Sequence, residues 1–166
     1  MEHYEIERKY LIVMPDETWL RGCPGCRKKE IVQTYLTAEP GWERRVRQST
    51  ENGVIRYTVT QKEESAGLVR CEREREISER EYMALLEERD PHYVSLYKTR
   101  VAFPYEGHVM EIDRYPFWQE QAVLEVELSA PEEPFSLPSE ITVLREVTED
   151  ANLRNHALAL AATLPL

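Results

Sequence analysis

Cysteine is scarce in this sequence, three in 166 residues, and that shortage excludes a disulfide-stapled secreted scaffold. Cys23-Pro-Gly-Cys26 has the spacing of half a zinc site or of a redox pair, but a tetrahedral zinc site needs four ligands. No second Cys pair and no closely spaced His pair follows, so the motif reads as a turn that carries two thiols. A run of about 18 apolar residues is also missing, as is a charged-then-apolar leader before the first strand-like segment. A soluble cytoplasmic protein with no membrane partner is therefore expected. Basic residues are outnumbered, 21 Lys and Arg against 31 Asp and Glu, for a formal charge of −10. Binding to a phosphate backbone needs a basic field, so duplex nucleic acid is not an expected partner. Repeats and low-complexity linkers are absent, and the length suits one domain over 1–166.

What the sequence has in abundance is alternation. Segments at roughly 3–13, 29–38, 42–49, 54–62, 68–77, 94–104, 108–115 and 122–129 read with a period of two, the strand signal. Glu39-Pro40-Gly41, Glu51-Asn52-Gly53 and Tyr105-Glu106-Gly107 sit at their junctions as turns. Three helices are expected. A short one follows Pro15 with Asp16 as its cap. A second opens on the capping box Ser78-Glu79-Arg80-Glu81 and carries Tyr82, Leu85 and Leu86 as its apolar stripe. A third, rich in Ala and Leu, runs from about Thr148 to Leu164. The segment 130–145, with Pro131, Pro134 and Pro138, reads as a long loop.

On each strand the charged residues share one face. Glu5, Glu7 and Lys9 do so, then Glu43, Arg45 and Arg47, then Thr58, Thr60 and Lys62. Arg70, Glu72, Glu74 and Glu76 follow, then Lys98 and Arg100, Glu111 and Asp113, and Glu125 and Glu127. Ordinary amphipathic strands with a solvated face would give the same alternation. Two features favour an inward charged face. The polar positions are almost purely Glu, Asp, Lys and Arg, and the opposite apolar rows need the helices to pack on. On 68–77 the second face is charged as well, through Arg73 and Arg75, so that strand is expected to be partly uncovered. Seven or eight strands at this spacing suggest a barrel or a sandwich, and a closed barrel of about eight strands has an interior just wide enough for side chains or one small ligand. Buried charge of both signs makes sense only if something charged fills the space. Carboxylates in pairs supply oxygen ligands to Mg²⁺ or Mn²⁺, and Lys and Arg grip phosphate oxygens. The expected ligand is a polyanion accompanied by its metals.

These motifs resemble the CYTH superfamily, the triphosphate tunnel metalloenzymes. Glu5-Ile6-Glu7-Arg8-Lys9 matches the family's E-x-E-x-K opening. Arg45/Arg47, Thr60/Lys62, Arg70/Glu72/Glu74, Lys98/Arg100, Glu111/Asp113 and Glu125/Glu127 follow in the family's order, and Glu146-Val147-Thr148 with Asn155 resembles its closing segment. The resemblance implies a mainly β (α+β) fold: an eight-stranded closed antiparallel β-barrel, helices packed outside and a C-terminal plug helix. It also implies one or two divalent ions, Mg²⁺ or Mn²⁺. Glu5, Glu7, Glu125 and Glu127 are the main metal carboxylates by similarity, with Glu72 and Glu74 contributing, and Glu5, Glu7 and Lys9 form the catalytic set. Lys9, Arg45, Arg47, Lys62, Arg70, Lys98 and Arg100 become phosphate binders. Arg154 and His156 are candidates for a basic residue on the plug, while the histidines as a group, His3, His92, His108 and His156, read as surface or structural. The implied activity is metal-dependent hydrolysis of a triphosphate, first of all inorganic tripolyphosphate, without a covalent intermediate. A class IV adenylate cyclase, a thiamine or nucleoside triphosphatase and a non-catalytic polyphosphate-binding module are the alternatives on the same fold.

Overall fold

The computed structural model describes residues 2–64 and 69–159. Its strands are β1 (Glu2–Val13), β2 (Arg27–Leu36), β3 (Trp42–Glu51), β4 (Val54–Glu63), β5 (Val69–Ile77), β6 (Leu96–Tyr105), β7 (His108–Arg114), β8 (Gln121–Glu127) and β9 (Val143–Glu146). Helix α1 (Glu17–Gly22) joins β1 to β2, α2 (Glu79–Leu85) follows β5, and a single turn, α3 (Asn155–Leu158), lies near the end of the described chain. The strand order is β5-β4-β3-β2-β6-β7-β8-β1, and pairing of β1 with β5 closes the ring. Every ladder is antiparallel. The closed eight-stranded antiparallel barrel that the resemblance implies is therefore the fold, with β9 attached outside the ring.

Strand β1 serves three neighbours. One edge pairs with β8 along Glu7–Val13; the other pairs with β5 along Glu2–Ile6 and with β9 along Tyr10–Ile12. Between those two partners Lys9 N donates to Thr148 Oγ1 (3.0 Å), and Val147 N donates to Lys9 O (2.8 Å). Two hairpins turn through residues at positive φ, Asn52 and Gly53 (50° and 78°) and Glu106 and Gly107 (47° and 83°). That is the type I′ geometry whose twist matches antiparallel strands.

Three apolar clusters decide which way the sheet faces. The outer rows of β1, β6, β7 and β8 (Ile12, Val101, Phe103, Met110, Ile112, Ala122, Leu124 and Val126) pack under Leu20 of α1 and Ile141. Trp19 meets Phe103 edge-on at 5.9 Å. Asp16 caps α1 by accepting from Trp19 N (2.9 Å), and Ser78 caps α2 by accepting from Glu81 N (3.1 Å). Helix α2 brings Tyr82 onto Leu36, Val46 and Ile77, with Tyr57 and Val59 beside them. Both caps and the apolar stripe of α2 follow the sequence expectation, and with the outside so covered the charged rows point inward. Arg73 and Arg75 of β5 are exposed, as that strand's doubly charged pattern suggested.

The third cluster fills one end of the barrel. Leu11, Tyr35, Leu96, Tyr115 and Val123 pack there against Val147, Leu158 and Ala159, with Tyr93, Phe117, Trp118 and Leu153 around them. The C-terminal segment thus seals the barrel, but not as a helix from Thr148. Over the described residues it is a 3₁₀ turn (Ala151–Leu153) and the short α3. Thr148 is no helix cap, because its hydroxyl bonds the backbone of Lys9 and accepts no bond from the residues that follow it. The rest of the expected helix, from 160 on, lies outside the described residues. The 130–145 loop holds β9, four exposed residues that the surrounding prolines concealed. Among the described residues no helix is long and apolar enough to cross a membrane. Cys23 and Cys26 occupy a tight turn closed by Cys26 N donating to Cys23 O (3.1 Å).

Candidate functional site

Alternation within each inward strand sends every second side chain to the barrel axis, and antiparallel pairing sets those rows side by side. The result is one cavity of about 190 Å³. Twelve of the thirteen residues singled out from the sequence line it: Glu5, Glu7 and Lys9 from β1, Arg45 and Arg47 from β3, Lys62 from β4, Arg70, Glu72 and Glu74 from β5, Arg100 from β6, and Glu125 and Glu127 from β8. Lys98 does not line the cavity. It is fully buried behind the wall, Nζ 2.6 Å from Asp113 Oδ2. The lining also includes Glu43, Glu111, Arg154, Asn155 and His156, so both plug candidates reach it.

The cations of the wall are held in different ways. Arg100 clamps Asp113 with Nε and Nη2 (2.7 and 2.9 Å) and gives Nη1 to Glu111 (3.0 Å). Lys62 Nζ lies 2.7 Å from Glu5 Oε2, Lys9 Nζ lies 3.4 Å from Glu125 Oε1, and Arg70 stands 3.9 Å from both Glu5 and Glu7. By contrast the buried Nε atoms of Arg45 and Arg47 have no hydrogen-bond partner. Buried donors without acceptors are costly, and their presence marks where an anionic ligand would be gripped.

The carboxylates crowd one another. Across the ladders Glu7 stands opposite Glu127, and Glu111 opposite Glu125; like charges in such positions repel. Burial, then the Glu125 and Glu5 carboxylates, push Glu7 well above the ordinary carboxylate range. Burial also raises Glu5 and Glu125, but Lys62 and Arg70 hold the first at about 2, and Lys9 and Arg100 hold the second at about 2. Among the described residues no three carboxylate, imidazole or thiol groups are gathered as a ready cation site; Glu5 and Glu125 face lysines instead. The donors are hard oxygens in mutual repulsion, the chemistry that suits Mg²⁺ or Mn²⁺.

At the sealed end the rings of Tyr93 and His156 stack at 4.3 Å, Tyr35 lies 4.8 Å from His156, and His156 Nδ1 is 3.3 Å from Glu43 Oε2. Tyr115 OH donates to Asn155 Oδ1. Gln33 and Tyr35, both inward on β2, escaped the sequence reading. Residues 33–36 are all buried, so that stretch shows no alternation to reveal its inner face.

No family model and no curated protein sequence matches the chain. Solved structures do. The inorganic triphosphatase NE1496 is 28% identical, over 98% of this chain and 97% of that one, with a TM-score of 0.60. The PH1819 protein from Pyrococcus horikoshii OT3 is 21% identical, over 77% of this chain and 80% of its own, with a TM-score of 0.59. The PH1012 protein from the same organism is 20% identical over 77% and 81%, with a TM-score of 0.53. At their identities the last two bear on the fold alone.

Proposed function

From the closed barrel and inward charge pattern of the CYTH, or triphosphate tunnel, superfamily, which this chain shares, we propose that it binds an inorganic triphosphate in the cavity and hydrolyses a phosphoanhydride bond. The observation that carries this reading is the lining itself: seven Lys and Arg and eight Glu converge on about 190 Å³. At roughly 30 Å³ per water that is room for about six waters, a small polyanion rather than a polymer. A triphosphate brings several negative charges into a wall whose own charges nearly cancel, so divalent cations must enter with it. Glu5, Glu7, Glu125 and Glu127 are the residues that would hold them, with Glu72 and Glu74 within the same cavity. When bound, such ions neutralise phosphate oxygens and lower the pKa of a coordinated water.

The chain's own groups do the rest. Arg45 and Arg47, with donors left over, and Lys9, Lys62 and Arg70 take phosphate oxygens and stabilise charge on the bridging oxygen as it leaves. Arg100 and Lys98, gripped by Asp113, keep the wall in shape. The sealed aromatic end limits water and fixes how far a linear phosphate chain can enter. The neighbouring inorganic triphosphatase NE1496 supports tripolyphosphate as the first substrate to try.

The test is phosphate release from tripolyphosphate, ATP and thiamine triphosphate in parallel, with Mg²⁺, with Mn²⁺ and with EDTA, while the ATP reaction is assayed for cyclic AMP. Metal-dependent release fastest from tripolyphosphate is expected. Cyclic AMP and pyrophosphate from ATP would replace hydrolysis by cyclisation, and no turnover of any substrate would leave a binding barrel.

A further inference from the structure

Among the described residues Lys9, Lys62, Arg70, Lys98 and Arg100 form ion pairs with carboxylates, whereas Arg45 and Arg47 form none. Arg100 and Lys98 share Asp113, and Arg45 is compensated by Glu43, Glu72 and Glu5. Arg47 Nη2 instead donates to the carboxamide Oε1 of Gln33 at 3.0 Å, and its Nε has no partner. Burial and the like charges of Arg45 and Arg100 pull Arg47 down to about 10 against the opposing effect of Glu74 and Asp113, so the nearby carboxylates offset its charge only in part.

Gln33 is fully buried and held from both ends. Its Nε2 donates to Tyr35 OH at 2.9 Å, and Tyr35 lies against Tyr93 and His156 of the sealed end (5.7 and 4.8 Å). A guanidinium only donates, so the carboxamide oxygen must face Arg47 and the orientation of the amide is fixed. A carboxamide orients a guanidinium without cancelling its charge, whereas Glu, of nearly the same shape, would do both. In a cavity lined by glutamates, a glutamine at this point keeps one arginine aimed and unspent.

We propose that Gln33 is a positioning residue that holds Arg47 directed into the cavity with its positive charge free for an anionic ligand, so that Gln33 sets the affinity of the site for polyphosphate. This rests on the function proposed above for what the ligand is, but not for how Arg47 is held.

Gln33→Glu, Gln33→Met and Arg47→Met, alone and as the Gln33→Glu/Arg47→Met pair, separate the possibilities by titration calorimetry with sodium tripolyphosphate and by thermal unfolding without ligand. Gln33→Glu should weaken tripolyphosphate binding roughly tenfold or more while its Tm stays at or above that of the unaltered protein, because the new carboxylate pairs with Arg47. Gln33→Met should weaken binding without that support to Tm. In the Arg47→Met background Gln33→Glu should cause no further loss of affinity. A Gln33→Glu variant that binds within about twofold of the unaltered protein, or whose Tm falls below that of Gln33→Met, overturns the inference. If the unaltered protein binds no tripolyphosphate either with or without Mg²⁺, the substrate reading fails, and the Tm order of Gln33→Glu against Gln33→Met still decides this one.

Discussion

Lys98 Nζ and Asp113 Oδ2 lie 2.6 Å apart, with side chains 0% and 1% exposed, and Arg100 grips the same carboxylate from the other side. One anion thus serves two buried cations. Removing it strands Lys98 and takes from Arg100 its bidentate partner, leaving that guanidinium to Glu111 and Glu125, whereas removing Lys98 leaves Asp113 with a bidentate partner. Asp113→Ala should therefore cost about 3–5 kcal/mol, and Lys98→Met much less. Urea unfolding of the two variants checks this, and equal losses would contradict the shared-anion arrangement.

The acid limb of stability has a definite sign. Against burial, Lys62 and Arg70 hold Glu5, and Lys9 and Arg100 hold Glu125, at about 2, below the ordinary 4.5. Depressed carboxyls contribute fully above the unfolded value and lose that contribution as pH falls through the folded one. Each is worth on the order of 3 kcal/mol at most, all of it lost between about pH 4.5 and 2. Glu7 is raised, so it works the other way: protonating it on the way down from neutral relieves repulsion. Metal-free protein should be slightly more stable in mild acid than at neutral pH, then fail steeply below about pH 4. Thermal unfolding from pH 7 to pH 2.5 in EDTA would show the two phases.

Glu7→Gln should separate stability from function. Its carboxyl is buried beside Glu125 and Glu5, so a neutral isostere removes repulsion. Without metal the variant should unfold about 2–4 °C higher, for a gain of about 1 kcal/mol. With metal its triphosphate turnover should fall roughly a hundredfold or more. A less stable or fully active variant would remove Glu7 from the cation-holding group.

The barrel was legible wherever one face of a strand is polar and the other is not. Glu5-x-Glu7-x-Lys9 and Glu43-x-Arg45-x-Arg47 announced both a strand and its inner face, because covered outer rows leave the charges nowhere but inside. The same logic was blind on β2, where Thr34 and Leu36 are as buried as Gln33 and Tyr35. It also gave Lys98 the same standing as Arg100. The two share a face of β6, but only the tertiary fold brings Asp113 over Lys98 and takes it out of the cavity. Strand β9 escaped because its four residues are all exposed and its pairing to β1 is a backbone event with no side-chain signature.

Arg45→Ala tests the basic wall with little interference from structure. Its Nε has no partner, so truncation forfeits no bond at that atom, although Glu43, Glu72 and Glu5 lose some compensation. Affinity for tripolyphosphate should fall by roughly one to two orders of magnitude with a folded circular dichroism spectrum retained. Unchanged affinity would mean that the ligand sits elsewhere.

The three-way pairing of β1 also governs the order in which the molecule can be made. Strand β1 needs β8 along one edge and both β5 and β9 along the other, and β8 ends only at Glu127. Two of its partners, β8 and β9, therefore lie far along the chain from it, and such distant pairings are slow to form. The ring cannot close before β8 has paired with β1. Until then Glu5, Glu7 and Lys9 of β1 are solvated, and the desolvation of the charged interior falls in that closing step of folding.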